Sequence, residues 1–111
     1  MFPVICHALI PAENPARAGQ ALNILLVTEN ATDQAFTAPV ALWGSLGGPW
    51  RPLLTEEREF PARSHPHLYF TIPARCLTSA FWEGQEVEEL ALAAGETAPG
   101  PGENGVLVFF E

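Results

Sequence analysis

Apolar and polar residues alternate over short runs along this chain, and prolines, glycines and asparagines cut the runs apart. The clearest run is 21–28, where Leu22, Ile24, Leu26 and Thr28 share one face. The other face carries Asn23, Leu25 and Val27, so both sides are partly covered. A second run, 67–72, sets Leu68, Phe70 and Ile72 against His67, Tyr69 and Thr71. Both patterns predict strands. Further strands are expected over 4–10 and 36–43, with Pro39 placing the latter at a sheet edge or a bulge. Between them, residues 29–34 (Glu-Asn-Ala-Thr-Asp-Gln) are turn chemistry, because Asn and Asp side chains bond nearby backbone. Residues 45–52 read as a Gly/Pro-rich loop holding one large aromatic, Trp50. Leu53, Leu54 and Phe60 predict short edge strands around Glu56-Glu57-Arg58-Glu59, and 73–82 a turn or short helical crossover.

The segment 86–94 supports two periods. Val87, Leu90, Ala91 and Ala94 have helical spacing with Gly95 as a cap, whereas Leu90, Leu92 and Ala94 alternate as in a strand. The strand-rich neighbourhood favours the strand, paired with 106–110 across a flexible 95–105 loop. Eleven prolines and nine glycines leave little room for long helices, since proline inside a helix costs about 3 kcal/mol. The expected fold is all-β, a sandwich or barrel of short strands with at most one short helical turn, in a single domain over 1–111.

Composition narrows the function classes. A chain that is 48% hydrophobic and 16% charged is not of the disordered kind, and its length supports a core without a metal or disulfide. Five arginines, scattered and with no lysine, face thirteen acids for a net charge of −8. Phosphate backbones and anionic membranes need clustered positive charge, so neither nucleic acid nor membrane is an expected partner. No run approaches a membrane-spanning length. The start lacks a basic leader, and Pro3 and His7 interrupt its apolar run, so a cytoplasmic location is expected. In that setting the glycosylation pattern Asn30-Ala31-Thr32 is coincidental.

Candidate chemistry is sparse. Cys6 and Cys76 are expected as buried, reduced thiols. His65 and His67, on one strand, would share a face and could ligate a metal together with His7, Cys6 or Cys76; Cys6 and His7, as neighbours, should diverge. No cofactor is expected. Glu56-Glu57 and Glu88-Glu89 diverge on a strand, whereas a general acid–base pair must converge. Nothing around Cys76 activates a thiolate. The chain is read as no enzyme.

Aromatic residues are the strongest signal. Trp43, Trp50, Trp82 and Tyr69 lie in or beside loops and strand ends, where exposed rings would stack on sugars or anchor a protein. Trp43 and Trp82 also suit a sandwich core, and Trp50, between Pro49 and Arg51, is the best exposed anchor. The binding candidates are therefore Trp50, Arg51, Tyr69 and Trp43. The 106–110 run is apolar on both faces; left at an edge it would invite strand addition.

Two pieces carry a resemblance. Arg17-Ala18-Gly19-Gln20 leads into an apolar strand and then Glu29-Asn30-Ala31-Thr32-Asp33. Phe60-Pro61-Ala62-Arg63-Ser64 precedes Tyr69-Phe70-Thr71-Ile72-Pro73-Ala74. Together they resemble bacterial immunoglobulin-like β-sandwich domains of the cell-adhesion-related type. The resemblance implies an immunoglobulin-like antiparallel β-sandwich of about seven strands, a domain that binds or spaces rather than catalyses. The expected function is a non-catalytic protein-interaction or assembly module, its partner another protein or a second copy. The alternatives are a carbohydrate-binding module using exposed aromatics and a small His/Cys metalloprotein.

Overall fold

The structure, a computed structural model, describes residues 4–99 and 105–111. Its strands are β1 (Ile5–Pro11), β2 (Leu22–Glu29), β3 (Phe36–Ser45), β4 (Arg51–Phe60), β5 (His67–Ile72), β6 (Glu89–Gly95) and β7 (Val106–Phe109), with one 3-10 turn at Ala74–Leu77. They form two antiparallel sheets, ordered β1-β2-β5 and β4-β3-β6-β7. The fold is the expected seven-stranded β-sandwich.

Alternation decides which residues face inward. In β2 the row Leu22, Ile24, Leu26 and Thr28 is buried, and in β5 the row Leu68, Phe70 and Ile72. From the second sheet, Val40, Leu42, Leu90, Leu92 and Val108 meet them. Each such side chain, fully buried, stabilises the fold by roughly 1.5–3 kcal/mol. Gly44 also faces inward: a Cβ there would lie 3.0 Å from a Leu53 methyl and 3.1 Å from a Leu90 methyl. Trp82 belongs to the core, its indole N–H donating to the Cys76 carbonyl at 2.9 Å.

Two expectations need correction. The segment after the 45–52 loop is not a pair of short strands: β4 runs unbroken through Pro52 and Glu56-Glu57-Arg58-Glu59. It is an edge strand, paired only with β3, and an edge tolerates both proline and charge. Cys6 is exposed, since it sits at the β1 bulge between Cys6 and Ala8; only Cys76 is buried, and both thiols are free. The apolar β7 does lie at a sheet edge, where other parts of the chain cover some of it. The Asn14 side chain caps it, donating to the Leu107 carbonyl at 3.3 Å and accepting from the Phe109 amide at 3.0 Å. The Ala16 amide then bonds the Phe109 carbonyl at 2.7 Å. The Leu107 carbonyl and both backbone groups of Phe109 are thereby paired within the chain.

Pro39 falls on the half of β3 that β6, pairing only with residues 41–45, does not flank. β3 as a whole is an interior strand between β4 and β6, not an edge strand, and the register shift opposite Leu42 and Trp43 puts the extra residue, Leu53, in β4. The 86–94 segment resolves as the strand β6 paired with β7; part of the 95–105 loop lies outside the described residues.

Asn30 ties the far end of the sandwich. It is fully buried, and its amide nitrogen donates to the carbonyls of Gln34, Phe60 and Pro61 at 3.0–3.1 Å. Its side-chain oxygen accepts from the Thr32 amide and hydroxyl at 3.0 and 2.6 Å. The acceptor pattern around it is thus a folded turn, with its nitrogen buried and fully used.

Candidate interaction surface

The outward row of β3 holds Trp43, one residue out of phase with buried Leu42 and Gly44. Across the sheet Trp43 pairs with Ala93 of β6, and Ala91 pairs with Leu107 of β7. Trp43 therefore does not fill the core: it stands half-buried on the outer face of the four-stranded sheet. Its indole N–H is shut away from solvent with no acceptor among the described residues.

Trp50 lies over the same face. A Cβ on Gly105 would come within 2.9 Å of the Trp50 ring and 2.6 Å of the Leu92 carbonyl oxygen. The ring thus rests on a residue with no side chain, which leaves it half-buried against the sheet. Beside it runs a groove of about 700 Å³ lined by Ser45, Gly47, Trp50, Ala91, Gly105 and Leu107. Leu107 and Phe109 stand 44% and 50% exposed on the outward row of β7. Ala93 and Ala91 thus lie between Trp43 of β3 and Leu107 of β7, with the Trp50 ring over Gly105 and Glu89 also lining the groove.

The other two candidates are placed elsewhere. Arg51 is engaged within the chain: it donates to the Phe81 carbonyl at 2.6 Å, pairs with Glu83 at 2.7 Å and packs over the Phe81 and Trp82 rings. It pins the start of β4 to the turn after Leu77. Tyr69 points outward from β5, on the opposite sheet, and is 70% exposed. Trp43 and Trp50 share a surface that Tyr69 does not.

Among the histidines, His7 and His65 converge on one carboxylate. His7 bonds Glu29 at 2.7 Å, His65 approaches it at 3.7 Å, and the two rings stack with centroids 6.5 Å apart. His67 faces outward beside Val27. No group of three or more His, Cys, Asp or Glu among the described residues is disposed to hold a metal. Burial raises the pKa of the Cys76 thiol, partly offset by the charge of Arg75. Glu56 is turned to Arg58 at 2.6 Å.

No protein-family model and no curated protein matches the chain. Solved structures do. A β-glucosidase from Erythrobacter marinus superposes with a TM-score of 0.73 at 11% identity, over 99% of this chain and 16% of that one. The β-glucosidase 3B of Thermotoga neapolitana, in complex with glucose, gives 0.65 at 15% identity over 98% and 16%. A β-glucosidase from Listeria innocua in complex with isofagomine gives 0.64 at 12% identity over 100% and 16%. At these identities the likeness is one of fold alone. This chain spans 16% of the length of the β-glucosidases it matches.

In the sequence Trp43 and Trp50 stand out as aromatic candidates, and 106–110 as an apolar run with no indication of which side chains face outward. Leu107 and Phe109 were visible only as an apolar run, because Val106, Val108 and Phe110 alternate with them and are apolar too. The seat at Gly105 carries no local signal. No helix among the described residues is long and apolar enough to cross a membrane.

Proposed function

We propose that the chain is a non-catalytic protein-interaction module that docks through the outer face of its four-stranded sheet. One observation carries this reading: on the outer face of this sheet Trp43 and Trp50 stand half-buried beside Ala91 and Ala93, and Leu107 and Phe109 are exposed on β7, Phe109 opposite Glu89. Interfaces draw their energy from a few buried aromatic anchors ringed by smaller contacts, and this face supplies indoles beside small residues. The β-glucosidase likeness supports a module's role, since there the fold occupies 16% of a longer chain. Tyr69, on the opposite sheet, lies outside this face.

The test is co-purification from the native source with face-specific variants. Wild type and Tyr69→Ser should retain a discrete partner that Phe109→Arg loses, with all three equally folded by circular dichroism. Retention by Phe109→Arg, or loss with Tyr69→Ser alone, would move the interaction off this face.

A further inference from the structure

The outer face of the three-stranded sheet has a different character. Register sets Ile10 of β1 beside Leu25 of β2, and Leu25 beside Tyr69 of β5. The next row is Ala8, Val27 and His67. Ile10 is 49% and Tyr69 70% exposed, with Leu25 and Val27 half-buried between them. An apolar stripe thus crosses all three strands. Beyond it, Asn23 and Thr71 bond each other at 2.8 Å.

Charge is what makes this face unusual in a chain of net charge −8. Among the outward positions of β2 and β5, Glu29 is the one carboxylate, and it is held by His7 at the end of the sheet. At the β5 edge Arg58 is paired with Glu56 and bonded to the Tyr69 carbonyl at 2.6 Å. An acidic chain can approach its own copy only where unpaired carboxylates are absent, and the stripe is such a place.

The stripe is also self-complementary. Turned about a two-fold axis through Leu25, the row Ile10–Leu25–Tyr69 meets Tyr69–Leu25–Ile10. Each Tyr69 ring then covers the partner's Ile10, and the two Leu25 side chains meet on the axis. Isologous pairing of this kind closes after two copies. We propose that two copies of this chain associate face to face through the three-stranded sheet, leaving the four-stranded sheet free for its partner. The proposal is independent of the docking reading above.

Sedimentation velocity at micromolar and near-millimolar concentration tests it. Wild type should sediment as a dimer at the higher concentration, whereas Tyr69→Arg should remain a monomer and Phe109→Arg should dimerise like wild type. Leu25→Cys in a Cys6→Ser background keeps the test independent of folding losses. On mild oxidation it should give a covalent dimer through position 25, and Thr71→Cys in the same background should give several-fold less. A monomeric wild type at the higher concentration, or equal cross-linking at both positions, would overturn the proposal.

Discussion

Single side chains hold this sandwich together at places where backbone alone would leave loose ends. Asn30 satisfies three carbonyls and receives two bonds in return. Replacing it with alanine strands those groups in a buried site, so Asn30→Ala should lower the unfolding free energy by about 2–4 kcal/mol in a denaturant titration. Asn14 does smaller but similar work at the β7 edge. Asn14→Ala should cost about 1–2 kcal/mol and uncover β7, seen as larger species by light scattering that Asn30→Ala does not produce. A further residue-scale expectation concerns the thiols. With Cys6 exposed and Cys76 buried, a chromogenic disulfide reagent should titrate one thiol in the native protein and two after unfolding.

Elements were legible in the sequence to the extent that their two faces differed. β2 and β5 interior rows stood out because leucine, isoleucine and phenylalanine alternate with polar residues in at least part of each strand. β4 did not, since an edge strand is free to carry Pro52 and a run of charges. Its Arg58 hides the pattern further: the guanidinium lies 4.5 Å over the Phe70 ring of the other sheet, closing that side of the sandwich. Arg58→Ala should therefore lose about 1–2 kcal/mol in thermal or chemical unfolding, more than an exposed ion pair alone would give. β3 misled in another way. Val40-Ala41-Leu42-Trp43-Gly44 is apolar on both faces, so nothing local says that Trp43 points outward. The packing of Trp50 depends on Gly105 from the far end of the chain. Gly105→Ala should displace the ring and shift the tryptophan emission to longer wavelength, with a stability loss of about 1–3 kcal/mol from overpacking.

The molecule as a whole is a sandwich whose two outer faces are both apolar but differ in shape. One is a grooved surface lined by Trp50, Leu107 and Glu89 over small residues, with Trp43 on the same face; the other is a stripe crossing three strands from Ile10 to Tyr69. The aromatic candidates divide between the two faces, Trp43 and Trp50 on one and Tyr69 on the other, because linear position does not report which sheet a strand joins. Arg51 shows the same limit, adjacent to Trp50 in sequence yet engaged with Phe81 and Glu83. The central claim is that the four-stranded face meets a protein partner. The most direct measurement is site-specific photocross-linking in the native cell, with a photoreactive residue at position 107 and, as control, at position 71 on the opposite sheet. The account predicts a discrete protein adduct from position 107 that disappears when Phe109→Arg is added. No adduct at 107, or one that survives Phe109→Arg unchanged, would contradict it.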